Sequence, residues 1–151
     1  MIGCVEEIVR VAAEDDLREA WAILGRAYEP PIWVRMEDYD GYLAKVASHA
    51  TTLLLKIDGL VAGGISFYDN DDDTGRGFIT QVMTAPEFQG RGVGTRLIAE
   101  CEAECLANGM VTIGLEVRRD NDGAKRLYER CGFTVCGKTE TGWLMGKDLL
   151  R

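Results

Sequence analysis

The sequence predicts a mixed α/β domain, in which a meander of strands precedes two helices that each cross over to a further strand. Segments 51–57 and 60–68 are rich in β-branched and aliphatic residues, and they flank the two-residue turn Asp58-Gly59, which is the pattern of a β-hairpin. Apolar residues recur at helical spacing after Gly92 and again after Asn121. Strands and helices therefore both occur, and they alternate in the second half of the chain.

The first fifty residues predict one strand and two helices. Residues 9–13 are apolar around a single arginine and predict the first strand. We expect Asp15 or Asp16 to cap the helix that follows, and Pro30-Pro31 to break it. A second helix is predicted at about 37–48. The apolar side chains that recur at helical spacing in these two helices are Leu17, Ala20, Trp21, Leu24, Tyr39, Tyr42, Leu43 and Val46.

The second half of the chain predicts four further strands and two helices. Apolar and polar residues alternate strictly over 111–117, as in a strand with one buried face. Glycine after each helical pattern marks the helix end. The predicted elements are, in order, a strand at 78–83, a helix from Gly92 closed by Asn108-Gly109, a strand at 111–117, a helix from Asn121 to Gly132, and strands at 133–139 and 143–149.

Length and composition predict one soluble domain spanning residues 1–151, with 46% hydrophobic and 28% charged residues. No segment approaches the ~18 consecutive apolar residues of a membrane span, and the first residues lack the pattern of a secretory signal. The five cysteines are odd in number and have no CxxC spacing, so we expect no disulfide framework and no metal site. Cys101 and Cys105 are expected in the core. A reduced, cytoplasmic protein is the simplest expectation.

The formal net charge of −8 argues against a nucleic-acid partner, because neutralising phosphates requires a basic surface. Residues 1–88 hold seven basic and sixteen acidic residues, whereas residues 89–130 hold seven of each. The acidic surplus therefore stops at the segment that follows residue 88. This asymmetry favours an anion-binding site there, although surface solubility accounts for the total charge.

The turn Gln89-Gly90-Arg91-Gly92-Val93-Gly94 joins a strand to the start of a helix, where unpaired N–H groups and a partial positive charge favour an anion. A Walker loop requires Lys-Ser/Thr after its last glycine, but Thr95-Arg96 follows Gly94. A dinucleotide fingerprint counted from Gly90 and Gly92 requires a third glycine where Thr95 stands. A connector that binds no ligand is the remaining alternative, and three alternating glycines argue against it.

Two blocks of sequence resemble the GCN5-related N-acetyltransferases (GNAT family). The first is the strand, proline and Q/R-x-x-G-x-G/A signature in residues 82–94. The second comprises Leu115-Glu116-Val117, Asn121, Ala124, Leu127-Tyr128 and Gly132-Phe133. The resemblance covers residues 78–133. It implies a central, mostly antiparallel twisted sheet flanked by helices on both faces, and acetyl-CoA as co-substrate without a metal.

The resemblance also implies which residues contact the cofactor. Backbone groups of Val82, Met83 and Thr84 would hydrogen-bond the pantetheine arm, and Asn121 would contact it as well. Lys125, Arg126 and Arg130 either reach the adenosine phosphate or belong to a solvated face. The pyrophosphate would lie over Gln89, Gly90, Arg91, Gly92, Val93, Gly94 and Thr95.

Two side chains are implied in the chemistry of acetyl transfer. Tyr128 stands where the family has its general acid, and a phenol with a pKa of ~10 stays protonated at neutral pH and can protonate the departing thiolate. Taken alone, its spacing suits a core residue equally well. Glu116 lies on the small-residue face of its strand, beside Thr112 and Gly114, and matches the base of the ribosomal-protein alanine acetyltransferases. Other family members use a glutamate near the start of the preceding strand, where this chain has Phe78.

The resemblance implies an N-acetyltransferase that acts on a primary amine of a small molecule or peptide in a ternary complex. A non-catalytic acyl-CoA-binding module on the same fold is the alternative. The acidic N-terminal portion favours a cationic acceptor, although surface charge explains it equally well. No membrane partner is expected, and the sequence leaves a homodimer open.

Overall fold

A computed structural model describes residues 4–150. The described elements, listed in chain order, are β1 (Glu6–Val11), α1 (Glu14–Leu24), α2 (Ile32–Arg35), α3 (Tyr39–His49), β2 (Thr51–Ile57), β3 (Leu60–Tyr68), β4 (Arg76–Thr84), α4 (Val93–Ala107), β5 (Thr112–Arg118), α5 (Asp122–Arg130), β6 (Thr134–Lys138) and β7 (Gly142–Asp148). The seven strands form one sheet in the order β1-β2-β3-β4-β5-β7-β6. β4 and β5 pair in parallel, whereas the β1–β2, β5–β7 and β6–β7 pairs are antiparallel. The predicted mixed α/β fold with a mostly antiparallel sheet is confirmed.

The start and end of the first helix differ from the prediction. α1 begins at Glu14 after Ala13, whose side chain makes no cap, so neither Asp15 nor Asp16 is the N-cap. Both aspartates lie in the first turn, where their charge is favourable to the helix dipole. The helix ends at Leu24 rather than at the prolines. At Gly25 a side chain would lie 2.5 Å from Ile32 Cγ2, so the short helix α2, which the sequence did not predict, packs against that position.

The chain divides into two compact units, and β3, β4 and α4 each contribute residues to both. The first unit comprises residues up to Ser66 together with Gln81–Leu97. The second comprises Phe67–Thr80 and the residues from Ile98 onward. A single domain over residues 1–151 stays a prediction.

Two adjacent glycines of β3 show that helices cover both faces of the sheet in the first unit. A Cβ at Gly64 would lie 3.0 Å from Leu24 of α1, whereas a Cβ at Gly63 would lie 2.5 Å from Val93 of α4. Successive residues of a strand point to opposite faces, so α1 and α4 pack on opposite sides. The predicted apolar positions of α1 are all buried, and Leu43 and Val46 of α3 join them: Leu17, Ala20, Trp21, Leu24, Leu43 and Val46.

The second unit buries one face of β5. Ile113, Leu115 and Val117 are 2–4% exposed, whereas Glu116 is exposed, so the predicted alternation is confirmed. Cys101 and Cys105 of α4 are buried free thiols, as expected from the sequence. Burial raises the pKa of the Cys101 thiol, which therefore stays protonated and packs as a small apolar group.

A buried pair of hydroxyl groups in the first unit gives a prediction about stability. Thr52 Oγ1 and Ser66 Oγ lie 2.6 Å apart, and both residues are almost fully buried. Thr52→Val should destabilise the fold by about 1–3 kcal/mol, because it leaves the serine hydroxyl buried without its partner. The double variant Thr52→Val/Ser66→Ala should lose less than the sum of the two single variants in urea unfolding. If the stability loss of the double variant equals the sum of the two single losses, the hydroxyl groups do not interact.

Candidate active site

In the first unit, the turn between β4 and α4 has the geometry of an anion-binding loop. Gly90 and Gly92 have φ values of +77° and +79°, and α4 begins directly afterwards at Val93. Arg96 N donates to Gly92 O over 3.0 Å, the first hydrogen bond of the helix. Helix geometry leaves the preceding N–H groups without an acceptor inside the helix. The turn therefore presents several backbone donors together at the positive end of a helix dipole.

Conformation, rather than space, requires glycine at Gly90 and Gly92. A Cβ built on either residue meets no described atom within 4 Å. A positive φ is unfavourable for residues with a side chain, whereas glycine adopts it freely. The backbone of the turn is thus open toward its surroundings. An anion could approach it closely.

The charges around the turn favour an anion. The first turn of α4 contains no acidic residue. The Arg91 guanidinium lies over the Phe88 ring, 5.1 Å from its centroid, which positions this cation beside the turn. Arg96 Nη1 lies 3.5 Å from Glu6 Oε1, so this second arginine near the turn is paired with a carboxylate.

Glu87 is the carboxylate that precedes the turn, and its charge is partly compensated. Its pKa is lowered by a hydrogen bond from its own backbone N–H and by Arg26, whose Nη2 lies 3.2 Å from Glu87 Oε1. Both groups are largely solvent-exposed, so the pair contributes little to stability. Its effect is to direct this carboxylate toward Arg26.

The end of β4 carries the three residues whose backbone was expected to contact a pantetheine arm. Ala85 N donates to Ala62 O over 2.8 Å, so the Ala85 amide points toward β3. Backbone groups of successive strand residues point to alternate sides, so Met83 also directs its groups toward β3. Val82 and Thr84 direct theirs away from β3. The Met83 side chain is 2% exposed and belongs to the core of the first unit.

Sequence reasoning missed a polar pair beside this segment. Tyr28 Oη donates to Gln81 Oε1 over 2.7 Å, and the Arg35 guanidinium lies 5.3 Å from the Tyr28 ring centroid. Burial raises the pKa of Tyr28 and keeps the phenol protonated, although Arg35 opposes the shift. The available signal was Gln81 itself, a polar residue inside an otherwise apolar strand. Its partner lies 53 residues away and has no motif.

In the second unit, Glu116 projects from the face of β5 that is not buried. Its partner across the β5–β7 pair is Leu144, and the residues two positions away along the same face are Gly114 and Arg118. Glu116 shares this face with Thr112 and Gly114, as predicted, whereas Arg118 is the neighbour on the other side. Glu116 is exposed, which leaves the carboxylate accessible to a substrate or to water.

Asn121 caps α5. Its Oδ1 accepts a hydrogen bond from Ala124 N over 3.1 Å, and its backbone carbonyl accepts from Lys125 N. This cap accounts for an asparagine here without any ligand. The amide NH₂ group remains as the donor that could contact a cofactor.

Tyr128 of α5 is 9% exposed and packs edge-on against Phe133, with ring centroids 6.1 Å apart. Its backbone carbonyl accepts hydrogen bonds from Cys131 N and Phe133 N, which fixes the end of the helix around it. The ring therefore belongs to the packed layer of the second unit. Its hydroxyl is the only group of this side chain that can transfer a proton.

The three basic residues considered for the adenosine phosphate differ in their surroundings. Lys125 Nζ lies 3.5 Å from Glu129 Oε2 and 6.0 Å from the Trp143 ring centroid. Arg126 and Arg130 are exposed on the same helix. Lys125 is thus partly neutralised within the unit, and the two arginines are more accessible.

The described residues were expected to bind no metal ion and to contain no membrane-spanning helix. Within residues 4–150, no group of three or more His, Cys, Asp or Glu side chains is arranged to hold a metal ion. In the acidic loop after β3, Asp71 Oδ2 instead accepts a hydrogen bond from Thr74 Oγ1 over 2.6 Å, which lowers the pKa of Asp71. None of the helices in this part of the chain has the length and apolar character of a membrane span.

The sequence of this chain is similar to those of known acetyltransferases. The sequence profile of the acetyltransferase (GNAT) family matches residues 11–133. An acetyltransferase of Sodalis glossinidius (strain morsitans) is 28% identical over 145 residues, covering 94% of this chain and 95% of that protein.

Two solved structures share the fold. The PaiA N-acetyltransferase of Thermoplasma acidophilum, in complex with coenzyme A, has a TM-score of 0.74 at 20% identity and covers 94% of this chain and 99% of that one. The yncA structure from Salmonella typhimurium, with its cofactor acetyl-CoA, has a TM-score of 0.73 at 23% identity and covers 95% of this chain and 94% of that one.

Proposed function

Because this chain belongs to the acetyltransferase (GNAT) family, we propose that it transfers the acetyl group of acetyl-CoA to a primary amine of a small molecule or peptide. The amine attacks directly while both substrates are bound. The observation that carries the proposal is the turn at Gly90 and Gly92, whose positive φ values expose helix N–H groups to an anion. We place the reaction in the cytoplasm, where its free cysteines would stay reduced.

Different groups of this chain would bind different parts of acetyl-CoA. The amide groups from Gln89 to Thr95, with Arg91, would hold the pyrophosphate, since fixed dipoles and one cation match its negative charge. Val82 and Thr84 would hydrogen-bond the pantetheine arm, because their backbone groups point away from β3. Met83 lies between them and directs its own backbone groups toward β3, and Asn121 would bind the arm through its amide NH₂. The cofactor supplies the activated acetyl group as a thioester.

The transfer itself needs one base and one acid. An alkylamine with a pKa near ~10.4 is mostly protonated at neutral pH, so Glu116 would accept its proton, either directly or through water. The neutral amine nitrogen then bonds to the thioester carbonyl carbon, the carbon–sulfur bond breaks, and the nitrogen releases its second proton to solvent as the amide forms. Glu116 likewise returns the first proton to solvent. Tyr128 would protonate the departing thiolate and regain its proton from solvent. Electrons and protons balance without any further reactant.

Glu116→Gln tests the base. At neutral pH the variant should lose about 10- to 100-fold in kcat/KM, because the amide no longer accepts the proton. The loss should shrink as the pH rises toward the pKa of the amine, since the nucleophile is then already neutral. A full pH–rate profile of both proteins measures this. The control is Glu140→Gln, an exposed glutamate of the same unit, which should leave the profile unchanged. Equal profiles for wild type and Glu116→Gln would remove Glu116 from this role.

A panel of primary amines tests the proposed function. Peptide amines, polyamines, amino sugars and simple alkylamines are each incubated with the protein and acetyl-CoA, and release of free CoA thiol is followed. The proposal predicts release that depends on at least one amine. Acetyl-CoA binding without thiol release for any of these amines would instead indicate a non-catalytic binding module.

A further inference from the structure

One face of the sheet in the second unit carries an open groove of about 690 Å³. The opposite face is covered, since Met145 is buried there and Lys147 Nζ reaches Glu102 of α4 and the Cys131 carbonyl, each over 2.8 Å. On the open face, Phe78 and Leu144 are 41% and 36% exposed. The groove therefore lies on the side of β5 and β7 that also bears Glu116.

Strand register gives the groove a floor of two glycines. Phe78 pairs with Gly114, Gly114 pairs with Gly146, and Gly146 pairs with Thr134. Directly paired residues project to the same face, so these four form one row across the sheet. The Phe78 ring stands at one end, with Cδ2 3.9 Å from the Cβ position of Gly114. Between Phe78 and Thr134 the two paired residues carry no side chain, and Cys136 Sγ borders the floor 3.6 Å from the Cβ position of Gly146.

Within residues 4–150, no close contact requires glycine at Gly114 or Gly146. Neither has a positive φ, and a Cβ would meet its nearest neighbours at 3.4 and 3.6 Å, which is ordinary van der Waals contact. Gly63 and Gly77 are different, because a Cβ at these strand positions would lie 2.5 or 3.0 Å from a side chain of α4. Glycine in a strand loses side-chain packing and chain entropy, and it commonly marks close approach by a ligand. A flat ligand lying on this floor would account for glycine at both positions.

The next row along the strands links this floor to the proposed chemistry. Glu116 pairs with Leu144, so the carboxylate and the apolar side chain are neighbours on the open face. Glu116 is two residues from Gly114, a distance of about 6.7 Å along a strand. At the other end of the groove, Asp71 and Asp148 line the site together with Arg76, which lies close enough to lower the pKa of Asp71. The Lys147 ammonium is directed to the covered face, and Arg118, which follows Glu116 on the open face, is paired with Asp120 over 3.3 Å.

We propose that this groove is the acceptor site, and that the acceptor is a small primary amine bearing a flat apolar ring about two or three carbon atoms from its nitrogen. This inference rests on the proposed function. The ring lies on Gly114 and Gly146 beside the Phe78 ring, an arrangement that removes apolar surface from water and permits aromatic contact. The ammonium lies at Glu116, which attracts it and then accepts its proton.

Binding of 2-phenylethylamine and butylamine to the CoA-saturated protein tests the site without relying on turnover. 2-Phenylethylamine should bind about tenfold more tightly than butylamine, because its ring buries roughly 60 Å² more apolar surface. Calorimetry gives both dissociation constants. Equal affinity for the two amines would overturn the proposal.

Gly146→Val and Phe78→Ala locate the ring. Valine fits the strand at Gly146 without a backbone clash and fills the floor, so the preference for 2-phenylethylamine should disappear while butylamine binding changes by less than about twofold. Phe78→Ala should remove part of the preference. Val135→Ala, a comparably exposed apolar change on a neighbouring strand, is the matched control and should retain it. A preference that survives Gly146→Val would contradict the assignment.

The outcomes separate this inference from the function on which it rests. If 2-phenylethylamine binds in the groove but no amine is acetylated, the groove stands and the transfer reaction fails. If amines are acetylated and neither variant alters ring preference, the reaction stands and the groove is not the acceptor site. Light scattering adds one further outcome. Dissociation of a dimer by Phe78→Ala, with ring binding unchanged, would show that a second copy covers this face and would overturn the proposal.

Discussion

Gly92→Val is expected to abolish measurable binding of acetyl-CoA while the protein remains folded. Gly92 has a φ of +79°, and a β-branched residue held there is strained by about 1–3 kcal/mol or forces the turn to change shape. Either result misaligns the N–H groups at the start of α4. The valine side chain would also project into the open space beside the turn, where the pyrophosphate is proposed to lie. Isothermal titration with acetyl-CoA measures the loss.

Gly59→Val is the matched control for this loss. Gly59 also has a positive φ, +83°, and its Cβ position is equally open, but it belongs to the hairpin turn between β2 and β3. Both variants should lose similar stability in thermal unfolding, because the same backbone strain is introduced. Only the Gly92 variant should lose acetyl-CoA. If it keeps wild-type affinity while folded, the pyrophosphate does not lie on this turn.

Tyr128→Phe is expected to lower kcat by about 100-fold or more with little change in the dissociation constant for acetyl-CoA. The substitution removes only the hydroxyl, so the edge-on contact with Phe133 and the packing of α5 should persist. Without the phenol, the thiolate must leave unprotonated or take its proton from water. Steady-state kinetics on the best amine, together with calorimetry, separates turnover from binding.

Tyr39→Phe controls for loss of a buried hydroxyl. The Tyr39 hydroxyl is buried without a hydrogen-bond partner among the described residues, so its removal should leave kcat unchanged and not lower stability. Full turnover by Tyr128→Phe would assign Tyr128 to the core alone. A loss confined to thermal stability would lead to the same conclusion.

The elements that the sequence predicted well depend on neighbours close along the chain. The hairpin of β2 and β3 was predicted with its observed bounds, because a two-residue turn between β-rich segments needs no distant information. The alternation of β5 likewise specified its buried face. The turn at Gly90 and Gly92 was likewise recognised from consecutive residues, and both glycines have positive φ values, which glycine adopts freely.

The features that sequence reasoning missed depend on contacts between distant residues. The Tyr28–Gln81 hydrogen bond joins residues that share no motif. α2 is only four residues long, too short for a periodic signal, and its position is set by packing against Gly25. Gly114 and Gly146 become neighbours only when β5 and β7 pair in register. The glycine floor of the groove could therefore not be predicted from the linear sequence.

The most direct test of acetyl transfer follows the acetyl group itself. A single turnover with acetyl-CoA carrying an isotopic label in its acetyl group is quenched at intervals, and protein, amine and CoA are analysed by mass spectrometry. We expect the label to appear in the amide product at the same rate as free CoA, with none attached to the protein. Label retained on a side chain, or CoA released with free acetate in place of an amide, would contradict direct transfer to an amine.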